Sequence, residues 1–150
     1  MALKEQINND LKAALLGGNR FVVEVLRGLK SVILNEEVSS GKRDKGLDDV
    51  VIEQLIAREV KKRNESAKIY DGAGRPELAD NERAEIVVLL DYLPKQLSEA
   101  EINVIVSRVI NELGATSPSS MGQVIGAVKK EIGTAADSAV IASLVKNALK

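Results

Sequence analysis

Cysteine, histidine and tryptophan are absent from this 150-residue chain, and aromatic residues make up only 2% of it. Without Cys or His there can be no disulfide, thiol nucleophile, Ser-His triad or usual zinc or haem site. Any metal would have to be held by oxygen ligands alone, and no metal or cofactor is expected. Long hydrophobic runs are missing too. The longest aliphatic stretch, Ile86 to Leu90, is far short of the roughly 18 residues a membrane helix requires, so no membrane association is expected. The N-terminus lacks the basic-then-apolar pattern of a signal peptide, and Glu5 and Asp10 argue against a mitochondrial presequence. These absences together point to a cytoplasmic setting.

An excess of one charge sign is also lacking. Lys and Arg number 21 against 22 Asp and Glu, a net charge of -1, which argues against a protein that coats polyanions. What is present is an ordinary globular mixture, 45% hydrophobic and 29% charged, whose core must be aliphatic. The length allows one domain or at most two small ones.

Apolar residues recur at helical spacing almost throughout. Leu3, Ile7, Leu11, Ala14 and Leu15 mark a helix over 2–16 that stops at Gly17-Gly18. Asn19 is suited to cap a second helix carrying Val22, Val25, Leu26, Leu29, Val32 and Ile33, which runs to Ser39-Ser40-Gly41. A third starts at Asp48 and reaches Tyr70, with Ile52, Leu55, Ile56, Val60 and Ala67 on one arc. Pro76 fits the first turn of a fourth, which carries Leu78, Ile86, Leu89, Leu90 and Leu93 and ends at Pro94.

Beyond Pro94, Ser98-Glu99-Ala100-Glu101 has the form of a capping box and opens a fifth helix that stops at Gly114. Thr116 to Ser120 reads as a loop. Met121, Val124, Ile125, Val128 and Ile132 mark a sixth helix, and Asp137 caps a seventh. No alternating β-branched run lies between hairpin turn signals, so the expected fold is all-α. The expected domains are 1–94, of about four helices with 15 basic and 17 acidic residues, and 95–150, a small three-helix tail with 6 and 5.

Charged constellations are few. On the third helix Arg58, Lys61, Lys62 and Lys68 project opposite the apolar stripe, a cationic strip able to meet phosphates and interrupted by Glu65. The favoured reading of the strip is nevertheless a solvated helix face, since mixed-sign surface helices are ordinary and no aromatics interleave for base stacking. Glu59 and Arg63, four apart beside the apolar arc, have the spacing of a semi-buried structural ion pair. Gly72-Ala73-Gly74-Arg75-Pro76 resembles a phosphate-binding opening to a helix, with Arg75 as the anion ligand, although a glycine stop followed by a proline start accounts for every residue. Glu82, Glu85 and Asp91 show no sign of converging and are expected in solvent; no catalytic residue is assigned. Gly122 and Gly126 are spaced for close packing of the sixth helix against a neighbour. Lys129 and Lys130 close that helix, where cations complement its dipole.

Taken in order, Leu26-Arg27-Gly28-Leu29-Lys30-Ser31, Glu59 to Ala67, Tyr70 to Leu78, Tyr92-Leu93-Pro94, Gln96 to Glu99 and Met121 to Gly126 resemble the YqeY-like proteins over about 130 residues. The C-terminal part resembles the tail domain of GatB, a subunit of the tRNA-dependent Asp/Glu amidotransferase. The resemblance implies a helical N-terminal domain joined to a three-helix tail, and it brings no catalytic site. In the amidotransferase the tail is implicated in holding tRNA. Relatives often have Lys-Gly-Arg/Lys-Ala-Asp before the last helix, where this chain has Gly133-Thr134-Ala135-Ala136-Asp137 and both basic residues are missing. Lys129, Lys130, Arg108 and Lys146 are the remaining tail candidates for nucleic acid. The expectation is a non-catalytic binding module for tRNA or associated with tRNA-dependent amidotransfer. The alternatives are an adaptor that docks a protein partner through the tail and, less favoured, an amidase or carbon-nitrogen ligase.

Overall fold

The structure, a computed structural model, describes residues 2–150. The protein is all-α: Leu3–Leu16 (α1), Arg20–Ser39 (α2), Asp49–Gly72 (α3), Pro76–Leu90 (α4), Glu99–Leu113 (α5), Met121–Ile132 (α6) and Ser138–Ala148 (α7). Two compact units follow one another along the chain, Met1–Leu93 and Pro94–Lys150.

In the first unit each helix turns one aliphatic stripe inward. Ile7 of α1, Leu26 and Leu29 of α2, Ile52 and Ile56 of α3 and Leu89 of α4 are almost completely buried and meet in one cluster. Burying such a side chain contributes about 1.5–3 kcal/mol. The three-residue link Gly17–Asn19 makes α1 and α2 antiparallel neighbours, and Asn19 caps α2 by accepting from the Val22 N–H at 3.2 Å. Asp48 stands at the N-cap position of α3 but its side chain makes no capping bond. Instead Asp49 reaches across the unit and accepts the Leu3 N–H at 3.0 Å, so a carboxylate from the start of α3 caps α1. Between α3 and α4, Gly74 adopts φ +72, a left-handed turn that glycine enters without steric cost, and Pro76 opens α4.

The second unit packs Ile102, Val106 and Val109 of α5 against Val124, Val128 and Ile132 of α6 and Ile141, Val145 and Leu149 at the C-terminus. Ser98 caps α5 by accepting the Glu101 N–H, while the Glu101 carboxylate accepts from the Ser98 hydroxyl, both at 3.2 Å. Gly114 ends α5 at φ +63. Two short 3-10 turns complete the unit. Pro118–Ser120 lies within the expected loop, and Gly133–Ala135 occupies the segment where the basic residues are missing. Ala135 is buried and its carbonyl accepts the Leu97 N–H at 2.8 Å, so this segment anchors the strand of chain leading into α5.

The expectation for Gly122 and Gly126 needs correcting. A Cβ built at either position meets nothing within 4 Å, and both lie in solvent. The reason is angular: α6 packs through Val124, Val128 and Ile132, and the two glycines sit on the opposite side of the helix.

Candidate functional site

Arg58, Lys61, Lys62 and Lys68 are all exposed along one side of α3, and Glu65 is exposed among them. Lys62 bonds back to Glu59, with its Nζ 3.2 Å from Glu59 Oε2. Arg58, Lys61 and Lys68 have no ion-pair partner among the described residues. The strip therefore keeps three unneutralised cations within three helical turns.

Arg63 behaves differently. Its Nε donates to Glu85 Oε2 at 2.8 Å, and its Nη1 lies 3.6 Å from Glu59 Oε2 and 3.5 Å from the Glu59 carbonyl oxygen. The guanidinium thus bridges α3 and α4. Glu59 is buried, only 8% exposed, and its Oε2 has ionic neighbours but no well-aimed hydrogen bond. Glu85, expected in solvent, is drawn into the seam between the two helices because Arg63 is there to receive it.

At the start of α4, Arg75 is exposed and its Nε donates to Glu77 Oε1 at 3.0 Å. The Arg75 hydrogen bond, helped by the residue's own backbone N–H, lowers the Glu77 pKa. The chain's own carboxylate thus occupies the anion-favouring end of α4.

In the tail unit, Arg108 Nη1 donates to Glu112 Oε1 at 3.0 Å and Nη2 pairs with both carboxylate oxygens of Glu131. The Glu131 and then the Glu112 hydrogen bonds raise the guanidinium pKa further. Glu131 is therefore committed to Arg108, leaving Lys129 and Lys130 exposed on the last turn of α6 with no ion-pair partner among the described residues. Lys146 is exposed on the last turn of α7. A groove of about 250 Å³ runs beside Arg108 between α5 and α6, with Val109, Leu113 and Ala127 as its apolar part.

Sequence reasoning missed a second constellation. Lys4, Ile7, Asn8, Lys30, Ser31, Ile33, Leu34 and Glu37 line a cavity of about 280 Å³ between α1 and α2. At its floor Glu37, only 2% exposed, accepts from Lys4 Nζ at 2.8 Å through Oε2 and 3.1 Å through Oε1. The available signal was register: Leu29, Ile33 and Glu37 continue one stripe at four-residue steps, so an acid there is carried into the core. Among the described residues no group of three or more acidic side chains could hold a metal ion, and no helix is long and apolar enough to cross a membrane.

The fold thus defines an all-α protein in which a four-helix unit precedes a three-helix one. The model of the Yqey-like protein family matches residues 4–149, and the chain belongs to that family. Among its relatives is "Altered inheritance of mitochondria protein 41, mitochondrial" of Lachancea thermotolerans, 31% identical over 115 residues, 75% of this chain and 60% of the relative. The protein of the same name from Kluyveromyces lactis is 30% identical over 126 residues, covering 81% of this chain and 66% of the relative. That of Pyrenophora tritici-repentis is 26% identical over 145 residues, 94% and 77% of the two chains. The chain thus spans about three fifths to two thirds of the length of the first two.

These relatives are named as mitochondrial proteins, which overturns the cytoplasmic setting expected from composition. An aliphatic core under a charged surface meets the same physical demands in any aqueous compartment. Glu5 and Asp10 are residues of the folded helix α1, so their acidity carries no information about targeting.

Proposed function

We propose that this protein is a non-catalytic helical module that binds RNA of the tRNA class through exposed cations. The observation that carries the reading is the state of those cations. Arg58, Lys61 and Lys68 on α3, and Lys129 and Lys130 on α6, face solvent without carboxylate partners among the described residues, while Arg63, Arg75, Arg83 and Arg108 are all paired within the fold. A near-neutral protein that leaves these cations free in clusters retains local sites for phosphate despite its overall balance. The resemblance of the tail to that of the amidotransferase subunit supports the choice of tRNA. Arg108 is not part of the contact surface in this reading, because Glu112 and Glu131 already occupy its donors.

The test is fluorescence anisotropy of labelled bulk tRNA with nuclease-treated protein at about 50 and 200 mM salt, a range over which phosphate contacts lose much of their strength. Binding that weakens with salt, with Lys129→Ala/Lys130→Ala and with Arg58→Ala/Lys61→Ala/Lys68→Ala is expected. Salt-independent or absent binding refutes the reading. A second reading, an adaptor docking a protein partner, is favoured by the groove beside Leu113, which is itself 41% exposed. Its mark is a partner that co-purifies after nuclease treatment and is lost with Leu113→Asp.

A further inference from the structure

The cavity between α1 and α2 has features that packing alone does not require. Its volume of about 280 Å³ falls just below the range of drug-sized pockets, about 300–1,000 Å³, and suits a smaller molecule. Its accessible apolar surface is Leu34, 45% exposed at the rim, with the core side chains Ile7 and Ile33, 1% and 2% exposed, packed behind it. The floor is ionic but balanced, since Lys4 and Glu37 satisfy each other. Lys30, exposed at the cavity, has no carboxylate partner among the described residues, so the lining carries one uncompensated positive charge.

Asn8 supplies the most informative feature. Its side-chain Oδ1 is shut off from water and accepts no hydrogen bond. A buried acceptor without a donor is costly, and such groups are rare in folded proteins unless something else satisfies them. No side-chain hydrogen bond of Asn8 is found among the described residues, and a turn about its soft χ2 torsion would be needed to bring the amide to an occupant of the cavity.

We infer that this groove is a binding site for a small organic anion with an apolar body and an amide group, of the N-acyl amino acid type. The anion meets the Lys30 ammonium, the apolar body lies on Leu34, and the ligand amide pairs with Asn8. An amide is specified because it brings both a donor and an acceptor and so completes the Asn8 side chain in either of its orientations. Lys4 and Glu37 are positioning residues that fix the separation of α1 and α2. The inference does not rest on the RNA reading, whose cations belong to α3 and α6.

The experiment titrates the full chain, isotopically labelled with 15N, with three probes followed by NMR. N-acetyl-L-leucine carries both the charge and the amide; its methyl ester lacks the charge; 4-methylpentanoate lacks the amide. Saturable shifts centred on the Asn8 side-chain amide, Ser31 and Leu34 are expected for N-acetyl-L-leucine, with weaker binding of the other two. Lys30→Ala, at an exposed site that leaves the fold intact, raises the Kd by about fivefold, the worth of a charge-assisted hydrogen bond open to solvent. Asn8→Ala weakens N-acetyl-L-leucine and leaves 4-methylpentanoate unchanged. Shifts that rise linearly for all three probes mean that only water fills the groove and overturn the proposal, as does saturable binding that Lys30→Ala does not alter.

Discussion

The Tyr92 hydroxyl donates a 2.6 Å hydrogen bond to Asp10 Oδ2, tying the chain just after α4 to α1 across 82 positions of sequence. Tyr92 is otherwise buried in the aliphatic cluster of the first unit. An amphipathic ring suits the place, since its body fills the core while its hydroxyl finds a partner.

Replacing Tyr92 by Phe keeps the ring and removes that bond, which should cost about 1–2 kcal/mol in urea denaturation. A pH signature distinguishes the bond from simple packing. Burial, followed by the Asp10 hydrogen bond and charge, raises the Tyr92 pKa above its ordinary value. In the unfolded chain the phenol ionises near about pH 10, while in the folded protein it stays protonated. This contribution to stability is therefore whole below about pH 10 and lost as pH climbs toward the folded-state value, at up to about 1.4 kcal/mol per pH unit. Stability curves of the natural protein and Tyr92→Phe should converge above about pH 10; a constant offset there would contradict the assignment.

The Lys4–Glu37 pair should show strong coupling. Removing Lys4 leaves a carboxylate that is 2% exposed without its counter-ion, a change that costs several kcal/mol in a dry interior. Here the Lys4 side chain is 44% exposed and water reaches the pair, so Lys4→Ala should cost about 1–3 kcal/mol. Lys4→Met/Glu37→Leu should recover much of that loss, because no orphaned charge is left behind. Additive effects around the double-mutant cycle would mean that the two groups do not act on each other.

The helices were legible in the sequence because each has an apolar stripe and a local stop. Gly74, Gly114 and Pro76 do in the structure what their chemistry dictates. What remained hidden depends on partners distant along the chain. Asp49 capping α1, Glu85 drawn to Arg63, and Asp10 meeting Tyr92 all connect helices whose juxtaposition no local pattern encodes. The cations divide in the same way. A helical wheel places Arg58 and Lys61 in solvent, but only the tertiary structure reveals that Glu131 belongs to Arg108 and not to the neighbouring lysines.

That division leads to a prediction about RNA. If Arg108 is held out of contact by its two carboxylates, Arg108→Ala should leave tRNA affinity within about twofold at low salt. Lys129→Ala/Lys130→Ala should weaken it and flatten the log-log salt slope by about 2, near one unit per lost phosphate contact. Glu131→Gln should strengthen binding by releasing one side of the guanidinium. Anisotropy titrations across the salt series measure all three, and a larger loss in Arg108→Ala than in the double lysine variant would invert the assignment.

Glycine substitutions test the free face of α6. Gly126 lies within the helix without positive φ, and a Cβ there meets nothing within 4 Å. Alanine should therefore stabilise the protein by about 0.5–1 kcal/mol, since it lowers the entropy lost on folding and introduces no clash. Gly28 of α2 has the same open surroundings, and Gly28→Ala should behave alike. Gly114 is the opposite case. Its φ of +63 places a side chain against its own carbonyl, so Gly114→Ala should cost about 1–2 kcal/mol although the space around it is equally empty. Thermal and urea denaturation give the signs directly. Loss of stability in Gly126→Ala that depends on protein concentration would show that another copy of the chain packs closely against this face, in place of the solvent found there.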